Sequence, residues 1–284
     1  MGKIHDALEK SGRANELKTI PSAGSHSVEV QAVKNEIKAK APISPLTLPA
    51  SGSGKIGPKE IDPNLITYHD PVSVEAEIFK ILRTNILFPK TGHPPRTIMV
   101  TSAIPGDGKS FVAANLAISI AQGIEEHVLL MDCDMRRSSI HNCFGYRGTV
   151  PGLSDYLSNK QSLERLLKKT VVDKLTLLPG GTPPHNPAEL LSSQAMKNLI
   201  KEAKERYRDR YIIVDSPPPQ LTAETAALAK TIDAIIVVVK YASTPKDLVK
   251  ELIIKLGREK VIGVVMNGYR VPLTERYGYG KYKK

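Results

Sequence analysis

The stretch Ser102-Ala-Ile-Pro-Gly-Asp-Gly-Lys109-Ser110 decides the fold. It follows an apolar run at residues 97–100 and opens an apolar segment, residues 111–121, at helical spacing. A strand that delivers the chain to a Gly-rich turn, with a helix leaving it, makes a phosphate cradle. Loop N–H groups converge on phosphate oxygens, Lys109 adds a point charge, and Ser110 is placed for Mg²⁺. The helix aims the positive end of its dipole at the same anion. The first glycine of the G-x-x-x-x-G-K-[ST] pattern is replaced here by Ala103.

Two further segments extend the motif into a site. Val128-Leu-Leu-Met-Asp132-Cys-Asp134-Met-Arg136-Arg137 reads as a buried strand ending in paired carboxylates, and Tyr211-Ile-Ile-Val-Asp215 as a second ending in one. Ligands of open α/β sheets sit at strand carboxyl ends. Carboxylates placed there suit Mg²⁺, a hard, oxygen-seeking ion. One such Asp would be an ordinary solvent-facing cap; three beside a phosphate loop point to a metal and phosphoryl site.

Outward from the loop, strands at 174–178, 211–214, 234–239 and 261–266 alternate with helices at 188–207, 221–232 and 244–258. The expected fold is α/β, a P-loop NTPase with a mostly parallel sheet flanked by helices on both faces. From Val74 a helix carries Ile78, Phe79, Leu82 and Ile86 at core spacing, with Glu77, Lys80 and Arg83 beside that stripe. Thr244-Pro-Lys-Asp247 reads as a helix start capped by Thr, and Asn186 as the cap of the 188–207 helix with Glu189 three residues on. His185, a lone loop histidine, is not counted in the site. Residues 1–66, rich in Ser, Pro, Ala, Lys and Gly, read as a disordered or partner-docking leader, in which Ile4, Ala7, Leu8 and Ser11 share a helical face. Residues 67–266 read as the catalytic domain and 267–284 as a flexible Tyr-rich tail.

Composition sets bounds. The net charge of +11 invites a nucleic-acid reading, yet there is no Trp, only four Phe, and no interleaving of aromatic and basic residues to stack bases. No nucleic-acid partner is expected; an anionic membrane surface or an acidic partner fits the charge at least as well. The longest uncharged apolar run, residues 234–239, falls far short of the about 20 residues a bilayer span takes. Residues 1–10 carry both signs of charge and no apolar core, so no signal peptide is expected, and Asp6 breaks the myristoylation pattern. Two cysteines without C-x-x-C spacing suggest a reduced cytosolic protein lacking structural zinc or iron–sulfur clusters.

At this point the chain resembles a known family: the bacterial tyrosine autokinases of capsule and exopolysaccharide synthesis, whose P-loop domain is related to septum-placing and chromosome-partitioning ATPases. The resemblance rests on three elements. These are the Walker A segment from Ala103 to Ser110 with the A′ carboxylates Asp132 and Asp134 and the Walker B Asp215; the tail Arg276-Tyr277-Gly-Tyr279-Gly-Lys-Tyr282-Lys-Lys; and Glu77-Ile-Phe-Lys80-Ile-Leu-Arg83, similar to the family's E-x-x-R-x-x-R oligomerisation helix. It implies ATP and Mg²⁺ as cofactors. Pro105, Gly106, Asp107, Gly108, Lys109, Ser110, Phe111 and Asn267 would bind the nucleotide, Asn267 at the adenine edge, although Asn267-Gly268 is also a simple turn. Ser110, Asp132 and Asp215 would serve the metal. Lys109, Asp132 and Asp134 would carry the chemistry, and Tyr277, Tyr279 and Tyr282 would accept phosphate. Glu77, Lys80 and Arg83 would build a homo-oligomer, a ring in the family. Further implied partners are an inner-membrane polysaccharide co-polymerase, which regulates chain length, and a tyrosine phosphatase. The implied location is the cytoplasmic face of the cell membrane. Two departures stand out. Lys80 replaces the usual Arg, losing a bidentate fork, and Ile104 stands where partitioning ATPases carry an extra lysine.

The tail's charge suits a switch. Residues 267–284 hold five Arg or Lys against one Glu, a balance of +4. Each phosphotyrosine adds about −1.5 to −2, so three would reverse the sign and repel the tail from an acidic site. Two rivals use the same residues. A partitioning-type ATPase would want the missing loop lysine and a C-terminal amphipathic helix; a nucleotide-sensing scaffold would not need the intact Lys109, Ser110 and carboxylates.

Overall fold

The computed structural model describes residues 61–206, 210–217 and 223–269. The leader face at Ile4 to Ser11 and the tail tyrosines Tyr277, Tyr279 and Tyr282 lie outside these residues.

Seven strands form one sheet: β1 (Thr97–Ser102), β2 (His127–Asp132), β3 (Lys168–Lys169), β4 (Leu175–Leu178), β5 (Arg210–Asp215), β6 (Ala234–Lys240) and β7 (Val261–Asn267), in the spatial order β3-β4-β2-β5-β1-β6-β7. All neighbours are parallel except β3 and β4. The inner strands are mostly apolar because both faces are covered. Along β5, Tyr211 and Ile213 enter one core and Ile212 and Val214 the other, the period-two alternation of a strand.

The helices are α1 (Ile66–His69), α2 (Val74–Leu87), α3 (Lys109–Ala121), α4 (Ile140–Cys143), α5 (Leu153–Leu157), α6 (Leu163–Leu166), α7 (Pro187–Ser192), α8 (Gln194–Arg206), α9 (Ala223–Thr231) and α10 (Lys246–Leu256). Helix α3 is buried almost all round, with Ile118 and Ile120 fully enclosed, as expected of a helix laid on the sheet and covered by another. Its cover is α2, whose Phe79 meets Phe111 edge to face at 5.9 Å.

Four local expectations change. The helix expected at 188–207 is two, α7 and α8, broken at Ser193, which turns extended and accepts the Met196 N–H on its hydroxyl at 3.2 Å. Asn186 precedes α7 but makes no side-chain cap bond; Pro187, in the first turn, starts the helix instead. Helix α10 begins at Lys246 with Pro245 at the cap position and no side-chain cap bond; the Thr244 hydroxyl oxygen instead accepts the Lys240 N–H at 2.9 Å. Upstream, the packed body extends beyond residue 67: Leu65 is 1% exposed in the α2–α3 core. Asn115 of α3 grips this segment, accepting from the Thr67 N–H and hydroxyl and donating to the Asn64 carbonyl.

Candidate active site

Three adjacent strand ends build the site. Strand β5 lies between β2 and β1, and the register sets Asp132 opposite Asp215 and Asp215 opposite Val100. Neighbouring strands are about 5 Å apart, so carboxylates about 80 residues apart in sequence become neighbours beneath the phosphate loop. In that loop Gly106 and Gly108 have φ of +87° and +96°, a left-handed region glycine enters without steric cost. Ala103 is buried and is not among the positive-φ residues, so its backbone there has no need of a glycine.

Lys109 heads α3. Its Nζ lies 3.2 Å from Asp134 Oδ2 and 3.4 Å from Ser110 Oγ. The Ser110 hydroxyl donates to Asp215 Oδ2 at 2.6 Å. Asp132 is the most tightly held of the acids. Its Oδ2 accepts from the Ser138 hydroxyl at 2.8 Å and from the backbone N–H groups of Ser139 and Ile140, and its Oδ1 from the Asp134 N–H. Ser138 is itself fixed, accepting the Gly180 N–H at 3.1 Å and touching His141 Nδ1 at 3.2 Å.

Packing three acids around one lysine has an electrostatic consequence. Burial, reinforced by the charge of Asp215, lifts the Asp132 carboxyl to about 7; the Ser138 hydrogen bond offsets only part of this. Burial likewise lifts Asp215 to about 6 against the pull of Lys109 and Ser110. Burial alone would lower the Lys109 ammonium, but Asp215 and Asp134 outweigh it and hold it above the usual lysine value. The site therefore holds more negative charge than one lysine balances, an arrangement suited to a further cation.

Mg²⁺ fits that need. Asp215 Oδ1 is buried and has no hydrogen-bond partner, an oxygen left over for an ion. Among the described residues no group of three or more His, Cys, Asp or Glu side chains could hold a metal by itself. This suits Mg²⁺, which keeps waters and binds through one or two carboxylates and substrate phosphates. Ser110, Asp215 and Asp132 are the residues that would hold it.

Most residues named from the sequence come together here. Pro105 and Gly106 are at the exposed loop tip, while Asp107 is fully buried. The Phe111 ring packs against Phe79, and the Phe111 carbonyl accepts the Asn115 amide at 3.0 Å. Asn267, at the end of β7, donates its amide to the Asp107 carbonyl at 2.8 Å. Arg136 and Arg137 are exposed beside the A′ carboxylates. Exposed His185 makes none of the contacts described above. On α2, Lys80 pairs with Glu77 at 3.0 Å, and Arg83 reaches across to the Ser119 carbonyl at 2.8 Å. Sequence reasoning missed Ser138, which donates to Asp132, and read Thr244, whose hydroxyl donates to Asp107 at 2.7 Å, only as a helix cap. The signal for Ser138 was the Ser138-Ser139 pair just before a short helix, a capping composition.

A Gly-rich loop closing on a parallel strand, with a lysine at the helix start and acids on the next strand ends, defines an enzyme that handles nucleotide phosphates with a divalent ion. Residues 95–258 match the AAA domain family. The chain is 36% identical over 218 residues to tyrosine-protein kinase YwqD of Bacillus subtilis, covering 76% of this chain and 90% of that protein. It is 32% identical over 223 residues to tyrosine-protein kinase wzc of Salmonella typhimurium, covering 77% of this chain but 30% of that longer protein. The kinase domain of Escherichia coli tyrosine kinase ETK superposes with a TM-score of 0.69 at 28% identity, over 76% of this chain and 83% of that one. The chain belongs to the bacterial tyrosine-protein kinases.

Proposed function

We propose that this kinase phosphorylates its own tail at Tyr277, Tyr279 and Tyr282, in trans between copies, and thereby regulates polymerisation and export of a capsule or exopolysaccharide. The observation that carries the reading is the placement of Asp134. It meets Lys109 at 3.2 Å and, at 8% exposed against 0% and 1% for Asp132 and Asp215, is the least enclosed of the three acids, the one an incoming hydroxyl would meet first. A tyrosine hydroxyl is protonated at neutral pH, its unperturbed pKa being about 10, so a carboxylate must take its proton as it attacks phosphorus. We assign that role to Asp134, with Asp132 held by its four donors behind it. Lys109 would sit on the β and γ oxygens, the loop N–H groups on the phosphates, and Mg²⁺ would supply charge neutralisation.

Helix α2 supports assembly into an oligomer, the ring implied by the family. Ile78 and Ile81 are 51% and 49% exposed beside the Glu77–Lys80 pair, an apolar and charged face that suits a second copy. Arg83 is engaged within its own chain, so the contact would rest on Glu77, Lys80 and these isoleucines. No helix among the described residues is long and apolar enough to cross a membrane. Recruitment to the inner membrane face would come from the co-polymerase, with a tyrosine phosphatase reversing the modification.

The test mixes a Lys109→Met copy, which keeps its tyrosines, with a copy whose three tail tyrosines are Phe. Radiolabelled phosphate from MgATP should appear on the Lys109→Met tail. Label on neither copy, in a mixture where the parent labels itself, would rule out transfer in trans.

A further inference from the structure

The Asp107 carboxylate stands out in the phosphate loop. A loop built to attract a polyanion buries an acid completely, and Asp107 forms no ion pair among the described residues. Its Oδ1 accepts one bond, from the Thr244 hydroxyl at 2.7 Å, and its Oδ2 has no partner. The same Thr244 Oγ1 accepts the Lys240 N–H at 2.9 Å, which fixes the turn after β6. The Asp107 carbonyl is held separately by Asn267 of β7, whose own carbonyl accepts the Tyr241 N–H at 2.8 Å. That turn is held tightly enough to keep Ala242 at a φ of +53°, a conformation that costs a non-glycine residue energy.

Glycines flank Asp107 on both sides, each at positive φ. Neither constrains the peptide planes between them, because glycine populates both signs of φ. The two anchors on Asp107 help to orient those planes. A trans peptide sets its C=O and N–H in opposite directions. Drawing the Asp107 carbonyl toward Asn267 thus turns the Gly108 N–H away from Asn267, to the side where a phosphate can meet it.

We infer that Thr244 is a positioning residue for nucleotide phosphate: acting through Asp107, it ties the loop's N–H groups to the β6 and β7 strand ends. The inference rests on reading the loop as a phosphate site. It also connects the loop with β7, the strand from which the chain runs on toward the tail.

The test is a double-mutant cycle on the full-length chain, with MgADP as the probe. Thr244→Val keeps shape but removes the hydroxyl. It should weaken MgADP about tenfold, the scale of one hydrogen bond to a charged group, and Thr244→Ser should restore binding. The loss should appear in KM for ATP more than in kcat. In an Asp107→Ala background Thr244→Val should add nothing, since contacting residues are not additive. Without nucleotide, hydrogen exchange at residues 106–108 should rise in Thr244→Val while the core strands keep their protection. Equal MgADP affinity of Thr244→Val and parent, or an undiminished effect in the Asp107→Ala background, overturns the inference. A parent that binds no MgADP overturns the phosphate-loop reading along with it.

Discussion

Asp215→Asn should raise the stability of the nucleotide-free protein and abolish its kinase activity together. The folded state holds the Asp215 proton up to about pH 6, whereas the unfolded chain releases it near 3.8. A carboxylate raised in this way contributes its stability below pH 4 and loses it as pH climbs through 6, the reverse of a salt-bridged Asp. The difference of about two units, at about 1.36 kcal/mol each, amounts to about 3 kcal/mol at pH 8. Full burial means that solvent does not screen this away. Asparagine keeps the Ser110 hydrogen bond through its amide oxygen and never ionises. Urea denaturation in EDTA should therefore show the variant more stable by about 3 kcal/mol at pH 8 and by about half that at pH 5. The variant should gain no further stability from Mg²⁺ with ADP, while the parent does. A variant less stable than the parent at pH 8, or a gap independent of pH, would refute the electrostatic reasoning.

Two other substitutions probe different links. Asn115→Leu removes a buried amide that serves Thr67, Asn64 and the Phe111 carbonyl; it should cost about 3 kcal/mol in denaturant unfolding and open residues 62–69 to hydrogen exchange first. In Gly108→Ala a Cβ would strike the Asn267 amide at a backbone φ of +96°, so calorimetry should detect no MgADP binding although the chain still folds, at a cost of about 1–3 kcal/mol.

The fold was legible wherever a strand was mostly apolar and ended in chemistry. Residues 97–100, 128–132, 211–215 and 234–239 each announced themselves, because a parallel strand buried on both faces leaves little room for polar residues. Strand β3 did not: Lys168 and Lys169 have no apolar pattern, and only antiparallel pairing with β4 makes them a strand. Lysines suit an edge strand for the reason that they discourage further pairing. In the site, Lys109, Ser110, Asp132, Asp134 and Asp215 were legible because their chemistry is tied to motif spacing. Thr244 was not. Its sequence context, Thr-Pro-Lys-Asp, fits a helix cap, and only the fold brings it to Asp107, 137 residues away. The hydroxyl oxygen accepts the Lys240 N–H in place of a helix N–H, and its proton goes to Asp107. The Asn186 cap failed for a related reason: Pro187 already sets the first helical turn, and the side chain makes no cap bond.

The measurement that bears most directly on the central claim is the intact mass of the purified protein after incubation with MgATP, beside a Lys109→Met control, followed by mapping of the modified peptides. The account predicts added phosphates in the parent alone, located at Tyr277, Tyr279 or Tyr282. ATP hydrolysis with no gain in mass, or phosphate found only outside residues 267–284, would contradict it.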